Sequence, residues 1–147
     1  LGAKLAVNYR NQDFYEVLNK HLGKRGIDVT LDMVGGDYIE KNIKLAALEG
    51  RIVNIAYLQG SVASVNFMPV MLKRLTLTGS TLRPQSAAQK AEIAEQLRSR
   101  VWPLLASGRI KPVIAATFAL EEAVDAHKLM ESNRSIGKIV LCPGEPG

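Results

Sequence analysis

The sequence has one cysteine, Cys142, and two histidines, His21 and His127. A single thiol cannot close an internal disulfide or build a thiolate zinc site. Two histidines on separate amphipathic stretches offer no chelating spacing either. Neither stands in a G-x-S-x-G or Cys/His context, so a nucleophilic triad is not supported. A G-x-x-x-x-G-K-[ST] phosphate loop is absent. No window approaches the ~20 apolar residues of a membrane-spanning helix, and no signal-peptide pattern is present, so a reducing, cytoplasmic setting is expected. There is no internal repeat, low-complexity segment or linker. A strong charge bias is also missing. The net charge of +5 comes from 19 scattered basic residues, and Lys24-Arg25 and Lys73-Arg74 are the only adjacent basic pairs. Such scatter is weak evidence for nucleic acid and fits either a solvated basic surface or an anionic cofactor.

What is present is ordinary soluble composition, 47% hydrophobic and 22% charged, so pattern rather than composition must carry the reading. At 147 residues the chain is long enough for a domain with a real core. The most informative stretch is 26–58. Ile27, Val29 and Leu31 alternate with Asp28, Thr30 and Asp32, and the run stops at Gly35-Gly36. A helical stretch follows, and Arg51 to Tyr57 is again rich in β-formers. Strand, glycine turn, helix and strand make a βαβ unit, hence a parallel pair.

The remaining elements follow from spacing. Residues 4–9 read as a short strand. Asp13 and Glu16 resemble a capping box ahead of a helix with Phe14, Val17, Leu18, His21 and Leu22 on one face. Asp37 is the expected N-cap of a helix over 38–48, closed by Glu49-Gly50. A short helix over 70–73 leads to an alternating strand at 75–80. Ser86 opens a long helix over 87–107, with Ile93, Leu97, Val101 and Leu104 as its buried stripe and a kink expected at Trp102-Pro103. Strands at 113–118 and 139–141 flank an amphipathic helix over 120–132. Alternation of strands and helices means an α/β protein with a mainly parallel sheet.

Ligands of open parallel sheets bind beyond the carboxyl ends of the strands. Three loops there carry glycine and small residues: 34–36, 56–60 and 79–82. Glycine at 35 and 36 allows a ligand to approach closely or simply makes a turn. Tyr9, after the first strand, could stack on a flat ring or cap the sheet. Together the loops describe a shallow slot suited to a nucleotide. Asp28 and Asp32 share one strand face, where burial is costly unless each carboxylate finds donors; for Asp32 a hydrogen-bonded strand-end carboxylate is the plain reading.

Several segments are recognisable in order: Val7-Asn8-Tyr9-Arg10, Asp13-Phe14, GIDVTLDMVGGDY at 26–38, EGRIVNIAYLQG at 49–60, LKRLTLTGSTLRP at 72–84, VWPLLASGRIKPVI at 101–114 and SIGKIVL at 135–141. They resemble the NAD(P)H:quinone oxidoreductases, zinc-free medium-chain dehydrogenases/reductases, and cover essentially the whole chain. The resemblance implies a partial Rossmann fold, doubly wound with a mainly parallel sheet. It also implies that this chain corresponds to the C-terminal part of a longer reductase, without the first strands, the glycine-rich turn and the catalytic domain. Residues 1–112 would then belong to the dinucleotide-binding domain, and 113–147 would return toward the catalytic domain.

Carried over to this sequence, the resemblance implies cofactor contacts at Tyr9 on the adenosine side and at Val34 and Gly35 along the ribose path. Ala56, Tyr57 and Leu58 would border the nicotinamide. Ser80, Thr81 and Leu82 would reach its carboxamide edge, and Ser135, Gly137 and Lys138 would lie in a returning loop. No residue of the chain is implied as catalytic. The cofactor expected is NADPH, with NADH less favoured, and no metal. The substrate class is a quinone or conjugated carbonyl, and a homodimer would form by pairing of strand 75–80 across a two-fold axis. A non-catalytic, self-associating α/β domain using that same edge is the rival.

Overall fold

The computed structural model describes residues 2–144. The chain divides into two compact units, Gly2–Lys90 and the stretch from Ala91 onward.

The first unit opens with α1 (Phe14–Leu22), where Asp13 accepts a hydrogen bond from the Tyr15 N–H at 2.8 Å as N-cap. Then come β1 (Ile27–Asp32), α2 (Tyr38–Leu45), β2 (Ala46–Asn54), α3 (Met68–Leu72) and β3 (Thr76–Gly79). The three strands form one sheet in the order β1-β2-β3, parallel throughout, as the alternating pattern predicts. Thr30, Ile52 and Leu77 lie in one register row, and Asp32, Asn54 and Gly79 in the row two residues on. The core is small. Ile43 of α2, Ala46 and Ile52 of β2 are buried together, with Ile39, Val65, Val70 and Leu75 packed around them. β1 turns its Thr30 and Asp32 side toward this layer. Its apolar side stays open, with Val29 64% and Leu31 66% exposed.

Two sequence expectations change here. Residues 4–9 form no strand; Asn8 and Tyr9 lie in a turn, where the Asn8 carbonyl accepts from the Asn11 and Gln12 N–H groups. Among the described residues the stretch pairs with no strand, and unpaired backbone groups are left to water or local turns. The second helix ends at Leu45, not Leu48. The Lys73 ammonium donates to the Lys44 and Ala46 carbonyls at 2.9 and 2.8 Å, which satisfies the helix end early. Gly26, at φ +71°, passes so close to Ala47 that a Cβ there would sit 2.8 Å from its Cα, and the next residue, Ile27, pairs with Ala46 at the start of β2.

The helix α4 (Ala87–Arg100) runs across the division between the units, and the second unit continues with α5 (Trp102–Ala106), β4 (Ile114–Ala119), α6 (Ala123–Glu131) and β5 (Lys138–Cys142). The expected break at Trp102-Pro103 is real: α4 stops at Arg100, and Pro103 stands in the first turn of α5, where its missing N–H does no harm. The stripe of α4 is not buried as its spacing predicts; Ile93 and Leu97 are both exposed. β4 and β5 pair with each other, in parallel, across α6. Gly137 at φ +115° makes that possible, since a Cβ there would strike the Val113 carbonyl oxygen, which accepts from the Lys138 N–H at 2.8 Å. Among the described residues, no helix is long and apolar enough to cross a membrane.

Candidate functional site

The carboxyl ends of β1, β2 and β3 lie side by side, so the three loops that follow them are neighbours. The first two are stitched together by backbone hydrogen bonds. Leu58 N–H donates to the Met33 carbonyl at 3.2 Å, Gln59 N–H to Val34 at 2.7 Å, and Gly36 N–H to the Gly60 carbonyl at 2.8 Å. Two glycines permit this approach. Gly35 has φ +70°, and a Cβ there would meet the Gly60 carbonyl oxygen and lie 2.7 Å from the Tyr57 ring; Gly36, at φ +53°, faces the Gln59 carbonyl. The close approach that glycine allows at this tip is thus made by the chain's own second loop.

Beneath the loops sits Asp32, 3% exposed. Its Oδ1 accepts from the Val34 and Gly35 N–H groups at 2.7 and 3.2 Å, and its Oδ2 from the side-chain amides of Asn42 and Asn54 at 3.1 and 3.2 Å. Four donors offset the desolvation that would otherwise make a buried carboxylate prohibitive. The third loop joins through Asn54, whose carbonyl accepts from the Ser80 N–H at 3.0 Å.

Between the second and third loops lies a cleft of about 430 Å³, lined by Asn54, Ile55, Ala56, Tyr57, Gly79, Ser80, Thr81 and Gln85. Of the residues singled out from sequence, Ala56, Tyr57, Ser80 and Thr81 line it, and Val34 and Gly35 form the loop bonded to its neighbour. Leu58 and Leu82 stand on the adjoining loops with exposed side chains. Tyr9 is 67% exposed in the turn before α1 and is not among the lining residues. Ser135, Gly137 and Lys138 belong to the second unit; Lys138 is the first residue of β5, and Ser135 and Gly137 precede it. Asn54, Ile55 and Gln85 were not singled out from sequence. Asn54 carried a signal all the same, as a lone amide inside the apolar run Ile52 to Ile55.

The charged groups with displaced titration lie elsewhere. Asp13 is held below the usual carboxylate value, first by its hydrogen bond with the Lys41 ammonium at 2.8 Å and then by the Tyr15 N–H. Lys41 is correspondingly raised by Asp13. This pair joins α1 to α2, beside the Phe14 and Tyr38 rings, whose centroids lie 4.4 Å apart with their planes inclined at 31°. Among the described residues no group of three His, Cys, Asp or Glu side chains could hold a metal ion.

The zinc-binding dehydrogenase profile matches residues 1–141. The chain belongs to this family. It is 33% identical over 140 residues to quinone oxidoreductase-like protein 2 of Bos taurus, covering 95% of this chain and 40% of that protein. It is 29% identical over 148 residues to the 2-haloacrylate reductase of a Burkholderia species, covering 97% of this chain and 43% of the relative. The crystal structure of an NAD-dependent alcohol dehydrogenase superposes with a TM-score of 0.70 at 31% identity, over 97% of this chain and 39% of that one. The chain therefore spans about two fifths of the length of the relatives it matches. The resemblance to quinone oxidoreductases and the Rossmann-like α/β fold both stand.

Proposed function

We propose that this chain is a cofactor-binding part of an NADPH-dependent quinone reductase, and that the cleft at the strand tips receives the nicotinamide end of the dinucleotide. The observation that carries this is the cleft itself: Asn54, Ala56, Tyr57, Gly79, Ser80 and Thr81, at the carboxyl ends of two adjacent parallel strands and in the loops after them, line it where such folds take their ligands. A flat, uncharged ring suits walls made by Ala56, Tyr57, Gly79 and Ser80. When bound, the cofactor supplies a hydride for a quinone or conjugated carbonyl. The chain's residues hold the ring in place and keep its surroundings dry. NADPH rather than NADH, and the absence of a metal, are parts of the same reading. So is the division of labour between residues 1–112, as dinucleotide-binding domain, and 113–147, as a segment returning toward a catalytic domain. A reducing, cytoplasmic setting completes it.

The sequence contains no G-x-G-x-x-G fingerprint, whose turn and helix N-terminus normally hold a pyrophosphate. The chain by itself is therefore expected to bind NADPH weakly or not at all and to reduce no quinone. Titration with NADPH, followed by nicotinamide fluorescence, tests this. Micromolar binding together with quinone reduction would overturn it.

A second reading concerns assembly. β3 is an edge of its sheet, and all four of its residues are exposed. An open edge of alternating Leu and Thr invites pairing with a second copy. Such pairing would make a homodimer, whether or not the chain takes part in catalysis.

A further inference from the structure

We infer that Asp32 is a positioning residue for the cleft: its carboxylate sets both the loop 34–36 and the Asn54 amide on the cleft wall. Which ligand the cleft takes rests on the function proposed above, but the hold itself does not. Three separate elements converge on one buried carboxylate. The loop after β1 gives the Val34 and Gly35 N–H groups, α2 gives Asn42, and the tip of β2 gives Asn54. Each carboxylate oxygen accepts two bonds, so neither has room for a water in place of a protein donor.

The two amides differ in what they serve. Asn42 is buried in the layer between helix and sheet, whereas Asn54 lines the cleft. Because Asn54 gives its Nδ2 to Asp32, the orientation of its amide is fixed. Its backbone is tied as well, since Ile55 N–H donates to the Asp32 carbonyl at 2.8 Å and the Asn54 carbonyl accepts from Ser80. The loop held by Oδ1 is the one zipped to residues 58–60. One carboxylate thus determines where both sides of the second loop sit. A neutral amide at position 32 could still accept from Val34 and Gly35. It could not accept from two amide donors with the atom that had been Oδ2.

The test compares Asp32→Asn with Asn42→Ser, which cuts the link to α2 and leaves the Asn54 arm. Two quantities are read on the whole chain: amide hydrogen exchange of Val34 and Gly35, and binding of reduced nicotinamide mononucleotide by chemical-shift titration. In Asp32→Asn the two amides are expected to exchange about tenfold faster, and nicotinamide mononucleotide to bind about tenfold more weakly, as the loss of charge-assisted bonds implies. Asn42→Ser is expected to lower the melting temperature but leave binding within about twofold. Unchanged exchange in Asp32→Asn overturns the inference. So does binding that is unaffected there, or weakened equally in both variants, which would make the role one of stability alone. If Asp32→Asn does not fold, Asn54→Ala cuts the arm directly, and unchanged binding in that variant overturns the inference. If the unsubstituted chain gives no shifts at the strand tips, the proposed ligand is wrong, while the exchange comparison still judges whether Asp32 holds the loop.

Discussion

The two units treat similar apolar patterns differently. In Gly2–Lys90 the spacing of Ile39 and Ile43 on α2 becomes burial, and Ile43 is 1% exposed against Ile52 and Ala46. From Ala91 onward the stripes of α4 and α6 carry as many apolar side chains, yet Ala126 is the one hydrophobic residue there that is buried among those described. A pair of parallel strands with one helix cannot cover both of its faces, whereas three strands layered with α2 and α3 cover at least one. Amphipathic spacing fixes which side of an element can be buried, and the number of neighbouring layers fixes whether it is.

The largest test of this contrast lies in the cores. Ile43→Ala is expected to cost about 3 kcal/mol of unfolding free energy, since it empties the best-packed site. Ile114→Ala in β4, half exposed, is expected to change it by no more than about 0.5 kcal/mol. Denaturant melts of the two variants read the difference, and similar losses would break the comparison.

Next come the glycines, one in each unit. Gly35→Ala forces a left-handed backbone and a clash with Gly60 and Tyr57. A loss of about 2 kcal/mol, with fast amide exchange at 58–60, is expected. Gly137→Ala meets the Val113 carbonyl in the same way, but its effect should stay within the β4–β5 pair. Exchange mapping separates a local loss from a global one.

The edge of the first unit gives a sharper, smaller test. Leu77→Lys is expected to abolish self-association through β3. Light scattering that shows an unchanged dimer would assign assembly to another surface.

The smallest effect is a pH dependence. Asp13 is lowered from 3.8, so its contribution is present above that value and fades as pH falls through its lower folded pKa. Lys41 is raised from 10.5, so its contribution is present below that value and fades as pH rises through the folded pKa. Both side chains are partly exposed, and the gain is small. The melting difference between the protein and Lys41→Met is expected to be flat between about pH 5 and 9 and to narrow in acid below about pH 4.

Much of this was legible in the residues. The alternation of Ile27, Val29 and Leu31 located β1, and its glycine stop located the first loop. Burial did not follow from it, because which strand face is covered depends on where α2 lands. Asp32 was legible as a carboxylate needing donors. Its partners were not, since Asn42 and Asn54 arrive from 10 and 22 positions along the chain. The early end of α2 was hidden for the same reason, being set by Lys73 from β3's approach rather than by any local breaker. Residues 4–9 have the composition of a strand, but a strand exists only with a neighbour.

The strand tips of the first unit are the proposed nicotinamide site. Chemical-shift mapping with reduced nicotinamide mononucleotide at about millimolar concentration tests it most directly, because this half of the cofactor needs no pyrophosphate turn. The expected result is shifts confined to Asn54, Ala56, Tyr57, Ser80 and Thr81, with weaker ones at Val34 and Gly35. Shifts elsewhere in the chain with these residues silent would contradict it.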